Sequence, residues 1–293
     1  MQNMSLQALE IFRTVAMEGS VSRAANRLGR VQSNISTRIK QLEEAVGKSL
    51  FRRQNRGLTL TADGQLLLDY AERFHLLSVE TSEALDAGQP SGRFAIGAME
   101  STAAARLPDI LSRYHAQYPN VEVVLKTDTA GGLLNRLYKY EIDIALLAEP
   151  VTDTAFQTLP VFEEELILVT PASYPPLNDF SILNGCSLIA FEAGCAYRRY
   201  LERWQLENGI APGTILSVSS YLAILSCVSA GTGYAVVPKS VLDMISIGDG
   251  LRPYPLSGSY AAIKTLLVWR AEYHSAKLDA LLPLLTKNAT PNS

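Results

Sequence analysis

The sequence predicts an α/β protein in which a small helical N-terminal part with a β wing precedes a long helix and a larger strand–helix body. Three observations carry that prediction. Apolar residues recur at three- and four-residue steps from Leu6 to Val46, the helical period, with Gly19 and Gly29 as breaks. The stretch from Gln65 to Ala87 contains neither Gly nor Pro, enough for a helix of roughly 24 residues and about 36 Å at 1.5 Å per residue. From Arg93 onward, short runs rich in Val, Ile and Leu alternate with helical patterns.

Charge divides the chain in the same place. Residues 1–57 hold ten Lys or Arg against four Asp or Glu, whereas residues 58–293 hold sixteen against twenty-five. A basic end on an acidic body points to a polyanion-binding module joined to something else. Hydrophobic residues make up 47% and charged residues 19% of the 293, which excludes wholesale disorder. No apolar run approaches 18 residues, and "MQNMSLQALEIF" has no secretory leader pattern, so a cytoplasmic location and no membrane partner are expected. Cys186, Cys195 and Cys227 form neither a disulfide framework nor a CxxC clamp.

Ser5 is a fair N-cap for a first helix, with Leu6, Leu9, Phe12, Val15 and Ala16 inward and Gly19 as its stop. Ser20 caps a second, in which Val21, Ala24, Ala25 and Leu28 face inward. After Gly29, Gln32 or Ser33 opens a third, with Ile35, Ile39, Leu42 and Val46 inward. Two short helices across a tight Gly turn form a helix-turn-helix. The third helix leaves Gln32, Ser33, Asn34, Ser36, Thr37 and Arg38 outside, with Lys40 and Gln41. Amides suit adenine, Arg suits guanine or phosphate, and small hydroxyls suit backbone oxygens. Leu50-Phe51 and Leu58-Thr59-Leu60 then form a wing around Asn55-Arg56-Gly57, carrying Arg52, Arg53 and Arg56 to the DNA backbone or minor groove. Thr61 caps the long helix.

"SVSRAANRLGRVQSNISTRIKQLEEAVGKSLFRRQNRGLTLTADG" resembles the winged helix-turn-helix of LysR-type transcriptional regulators. The marks are Ala24-Ala25, Gln32 opening the recognition helix, Gln41-Leu42-Glu43, Leu50-Phe51-Arg52-Arg53, and Leu60-Thr61 with Gly64. Ser33 and Thr37 stand where the family often has Pro and Arg, so the docking mode carries over but no base preference does. In the long helix, Leu67, Tyr70, Phe74, Leu77, Thr81 and Ala84 follow a heptad seam. The resemblance implies that this seam dimerises, that tetramers form, and that RNA polymerase is a further candidate partner. Gly88-Gln89-Pro90-Ser91-Gly92 supplies a hinge.

In the body, "FAIGA", "VEVVLKT", "IDIALLA", "ELILVT", "SLIAF", "TILSVSS", "YAVVP" and "IKTLLVW" read as strands between helices, an arrangement expected to give a parallel sheet covered on both faces. Ligands in such folds sit where strand ends enter helix N-termini. Four loops occupy that position: Met99–Thr102, Thr127–Ala130, Glu192–Ala196 and Ala230–Gly233. Ser101, Thr102 and Thr129 are read either as ligand-holding hydroxyls or as plain N-caps. The resemblance favours the first reading and implies a two-subdomain, periplasmic-binding-protein-like (type II) effector domain. It places Ser101, Thr102 and Thr129 on one cleft wall and Gly194 to Arg198, including Cys195, on the other.

The expected organisation is thus a DNA-binding domain over 1–60, a linker helix and hinge over 61–92, and an effector domain over 93–293. Within the last, one subdomain spans about 93–163 and 266–293, the other about 164–265. Glu100, Asp128, Glu149 and Glu192 fall at or beside the cleft loops, with Arg198 and Arg199 the cations nearby, which favours an amino acid or amine over a plain dicarboxylate; the effector classes expected are an amino acid, an amine or an organic acid.

Catalytic patterns are missing. His75, His115 and His274 have no metal-ligand spacing, no serine sits in a GxSxG elbow, and "AGTGYAVVP" lacks the elements of a phosphate loop or dinucleotide fingerprint. No metal or cofactor is expected. The function predicted is a homo-oligomeric regulator of double-stranded DNA controlled by a small molecule. The alternatives are a cytosolic solute-binding protein without DNA function and a redox sensor acting through Cys195.

Overall fold

The computed structural model describes residues 4–54, 57–85, 89–245 and 248–286, and the chain forms two units, 1–87 and 88–293.

In the first unit, the Ser5 hydroxyl accepts the Ala8 N–H and opens α1 (Leu6–Glu18), which ends on Gly19 in the left-handed region. Ser20 accepts the Arg23 N–H to open α2 (Val21–Arg27), and Gly29 at φ 62° turns the chain into α3 (Gln32–Val46). Leu9, Phe12, Val15, Ala24, Ala25, Ile35, Ile39 and Leu42 are buried together. Two expected core residues are not inside. Leu6 is 60% and Val46 39% exposed, because each sits at a helix end beyond its neighbours' reach. Ile11, outside the expected stripe, is buried because α1 is packed on more than one side.

The wing is an antiparallel pair, β1 (Phe51–Gln54) and β2 (Gly57–Leu60), with Phe51 opposite Leu60 and Arg52 opposite Thr59. Its root is pinned from both sides. Glu43 of α3 accepts the Leu50 and Phe51 N–H groups at 2.8 and 3.2 Å. Thr61 donates to the Ser49 carbonyl at 2.7 Å and accepts the Gly64 N–H at 3.0 Å, capping α4 (Ala62–Leu85). Gly64 lies so close to the wing that a Cβ there would stand 2.1 Å from the Leu50 carbonyl oxygen. Because α4 packs on α1, it is part of the N-terminal unit.

The second unit begins with β3 (Gly92–Ala98), α5 (Glu100–Ala105), α6 (Leu107–Gln117), β4 (Val121–Thr127), α7 (Ala130–Tyr138), β5 (Ile144–Ala148) and β6 (Phe156–Glu164). The chain then crosses into a second subdomain of β7 (Leu166–Pro171), β8 (Leu188–Ala190), α8 (Ala196–Glu207), β9 (Ile215–Ser217), α9 (Tyr221–Ser229), β10 (Ala235–Pro238), α10 (Lys239–Met244) and β11 (Leu251–Pro255). It returns as β12 (Ile263–Arg270) and ends in α11 (Ala276–Thr286).

The five-stranded sheet has the order β4-β3-β5-β12-β6. The expected all-parallel sheet is corrected here: β3 pairs in parallel with β4 and β5, but β12 runs antiparallel to β5 and β6. A strand returning from another subdomain enters from the opposite end, which reverses its direction. Phe94, Ile96 and Ala98 pack under α6 and α11, while Ala95 faces the opposite core with Leu133 and Leu137 of α7. Two strands lacked a sequence signal. Pro160 interrupts β6, and β11 carries Pro253 and Pro255, which an edge strand tolerates.

Candidate functional site

On α3, Ile35, Ile39 and Leu42 are buried, and Gln32, Ser33, Asn34, Ser36, Thr37 and Arg38 are all exposed. The Gln32 side chain accepts a hydrogen bond from Ser22 of α2 at 3.1 Å, which fixes the start of α3 against the preceding helix. Val31 provides no side-chain cap, and of the first-turn N–H groups of α3 the Asn34 N–H donates to the Val31 carbonyl at 3.1 Å. Arg38 reaches Gln41 at 3.5 Å, and Arg52 on the wing is exposed and reaches Thr59 at 3.3 Å. Arg56 and the side chain of Arg53 lie outside the described residues.

The α4 seam is divided. Tyr70, Phe74 and Leu77 are 49%, 41% and 48% exposed, large apolar groups in one row with exposed Thr81. Leu67, by contrast, is half-buried against the N-terminal core and belongs to the domain's own packing. The side chain of Ala84 lies outside the described residues.

In the second unit, parallel pairing brings strand ends together. β3 and β4 end side by side and lead into α5 and α7; β8 and β9 do the same and lead into α8 and α9. The helix starts from both subdomains enclose a cleft of about 220 Å³. One wall holds Met99, Glu100, Ser101, Thr127, Asp128, Thr129 and Ala130; the other holds Phe191, Glu192, Cys195, Ala196, Tyr197, Ser219 and Tyr221.

Ser101, Thr129 and Cys195 therefore line the cleft as expected, but with different states. Thr129 caps α7, accepting the Gly132 N–H at 3.2 Å. Ser101 lies in the first turn of α5, a helix where the sequence suggested a loop, and its hydroxyl is buried without a well-formed hydrogen bond. Burial pushes the Cys195 thiol up, outweighing the Tyr197 and Arg198 backbone N–H groups and the nearby Arg199 and Arg198 charges. Such a thiol is a poor thiolate donor at neutral pH, so the redox reading gains no support.

Four expected positions lie outside the cleft lining. Thr102 is 3% exposed and outside the cleft lining, because one helical step beyond Ser101 turns it toward the protein interior. Arg198 is also outside: its guanidinium donates to the Phe191 carbonyl at 2.9 Å and to Glu202 at 2.8 Å, fastening the loop to α8. Glu149 accepts the Lys264 N–H at 3.2 Å and does not line the cleft. The Ala230–Gly233 loop is absent from the lining because it precedes β10, at the wrong end of a strand for this kind of site.

The sequence reading missed Phe191, Ser219 and Tyr221, while Tyr197 falls within the Gly194–Arg198 segment it placed on the second wall. The signal for Ser219 and Tyr221 was present, since "SVSSY" ends a strand and starts a helix. Phe191 and Tyr221 stack at 4.6 Å between ring centroids. The Glu100 carboxyl faces the Tyr221 backbone N–H; burial raises its pKa, and that N–H offsets the rise only in part. Burial likewise raises the Tyr197 and Tyr221 phenols, keeping both protonated. Among the described residues no cluster suited to a metal ion occurs.

A helix-turn-helix unit joined to a two-subdomain cleft defines a ligand-responsive transcription regulator. The chain belongs to the LysR family of these regulators. Residues 6–65 match the bacterial regulatory helix-turn-helix protein, lysR family, and residues 87–290 match the LysR substrate binding domain. The uncharacterized HTH-type transcriptional regulator YusT of Bacillus subtilis (strain 168) is 35% identical over 97% of this chain and 98% of its own length. The regulator GltR of the same organism is 34% identical over 92% and 91%. Full-length OxyR from Pseudomonas aeruginosa, in a variant form, has the same fold with a TM-score of 0.75 at 24% identity, covering 97% of this chain and 98% of that one. CbnR in complex with its target DNA gives 0.70 at 22%, covering 98% and 100%. Among the described residues no helix is long and apolar enough to cross a membrane.

Proposed function

We propose that this chain is a sequence-specific DNA-binding regulator that reads duplex DNA with α3 and is switched by a small molecule held in the cleft. The carrying observation is the division of α3 into a buried apolar stripe and an exposed row from Gln32 to Arg38. Gln32, Ser33, Asn34, Ser36, Thr37 and Arg38 face base edges and phosphates in the major groove, while Arg53 and Arg56 hold the wing on the backbone. That a similar fold is found bound to its target DNA supports this reading. The exposed Tyr70, Phe74, Leu77 and Thr81 row, continued by Ala84 and begun near Leu67, pairs two copies so that two α3 helices address a partly palindromic site.

The effector occupies the cleft lined by Ser101, Thr129 and Cys195 and leaves it unchanged, since the chain regulates and does not catalyse. The functional boundaries are 1–60, 61–92 and 93–293. Selection of duplexes from a randomised library tests the proposal. The full chain enriches one partly symmetric sequence, and Arg38→Ala, which leaves the core intact, weakens or relaxes that preference at roughly 1–3 kcal/mol per lost base contact. Unbiased recovery of duplexes would refute it.

A further inference from the structure

The cleft carries three acidic side chains, Glu100, Asp128 and Glu192, and no Lys, Arg or His among its lining residues. Their situations differ. Asp128 is already neutralised: Arg136 donates to one carboxyl oxygen at 2.9 Å and the Thr129 N–H to the other at 2.8 Å. Glu192 is exposed to water. Glu100 is half-buried and its carboxyl faces the Tyr221 backbone N–H, but its Oε2 is buried with nothing to bond. Beside it, Ser101 and Tyr197, 2% and 3% exposed, hold buried hydroxyls that make no well-formed hydrogen bond and, among the described residues, have only each other, Thr265 and Tyr221 within reach. Three unsatisfied polar atoms around one small cavity are costly when empty and define what would complete them.

A dicarboxylate would add negative charge to a wall without a cation, and a purely apolar guest would leave all three groups unpaired. A protonated amine answers each of them, and the Phe191–Tyr221 pair offers it aromatic faces as well. Across the cleft, α8 and α9 start at Cys195 and Ser220 without side-chain caps; the Tyr197 and Arg198 N–H groups face the Cys195 thiol and the Tyr221 N–H faces Glu100, which leaves the remaining first-turn N–H groups for an anion. About 220 Å³ is small beside drug-sized sites and limits the guest to a compact molecule.

We infer that the cleft takes a small zwitterionic amino acid, its ammonium on Glu100 with Ser101 and Tyr197, and its carboxylate at the first turns of α8 and α9. The inference rests on the reading of the cleft as the effector site. The groups facing Glu100 are Tyr221 on α9, Tyr197 and Cys195 on α8, and the Arg136-bound Asp128 on the first wall; burial keeps the two phenols and the thiol protonated.

Isothermal titration of the full chain with the twenty L-amino acids tests this. Each hit is compared with its N-acetyl and deaminated forms. The variants are Glu100→Gln and Ser219→Trp, the latter filling the cleft mouth from an exposed position. The expected result is an amino acid that binds at least tenfold more tightly than either modified form, with at least tenfold of that affinity lost in Glu100→Gln. Equal binding of the deaminated acid, or an unchanged affinity in Glu100→Gln, overturns the inference while leaving the cleft as the site if Ser219→Trp still blocks binding. A hit indifferent to both substitutions overturns the cleft reading as well. Silence from all twenty overturns the amino-acid inference.

Discussion

Glu100 shows how a single residue stores the demand for a ligand. Its carboxyl is raised chiefly by burial, so in the unfolded chain it ionises near 4.5 and in the folded chain at a higher pH. The folded state therefore binds the proton more tightly, and this group's stabilising effect is present below pH 4.5 and is lost as pH rises through the folded value. Glu100→Gln removes that loss. In ligand-free protein it raises the melting temperature at pH 7 relative to the parent, and the difference fades as pH falls toward 4.5; thermal melts across that range check it. At this scale the sequence was partly legible. Ser101 and Thr129 stand after strands, where the cleft was expected. Arg198 lies outside the cleft lining, its donors turned to the Phe191 carbonyl and Glu202, and such a contact between separate segments leaves no trace in local spacing.

Among elements, α3 works only if the wing and its own start are held. Glu43 is the tie, accepting two N–H groups at the wing root. Glu43→Ala leaves both unpaired at a half-buried strand start and costs about 1–3 kcal/mol of stability, read by denaturant unfolding. A second expectation concerns α4. Phe74→Glu places a charge in the exposed apolar row and shifts the chain toward monomer in sedimentation at fixed concentration, with little loss of helix by circular dichroism. Helices were the most legible elements, since Ser5, Ser20 and Gly19 mark their ends by chemistry alone. The strands β6 and β11 were not legible, because prolines hide an edge strand whose partners lie far away in sequence. The direction of β12 was hidden for a related reason: a strand's sense depends on where the chain re-enters the sheet.

For the whole molecule, the charge asymmetry already separated a DNA-reading end from a sensing body, and alternating strands and helices announced the body's class. What no local pattern revealed is the joint between the two subdomains. Glu164, 4% exposed at the end of β6, accepts Arg106 at 3.2 Å from the first subdomain and the Ser240 hydroxyl at 2.6 Å and N–H at 3.2 Å from α10 of the second. Glu164→Ala frees that joint, lowering stability by about 1.5–3 kcal/mol. It also changes ligand affinity, although the residue does not line the cleft; calorimetry on the variant separates the two effects.

The central claim is that occupancy of the cleft and the position of the protein on DNA are one equilibrium. Such coupling requires a ligand that binds one arrangement of the protein better than another, and it is reciprocal. The decisive measurement is a footprinting titration on a duplex selected by the full chain, at one fixed salt concentration, with and without a ligand shown to bind the cleft. The account predicts that saturating ligand changes the affinity or the protected length, and that Ser219→Trp removes the change while binding DNA normally. Identical footprints and affinities at saturation would contradict it.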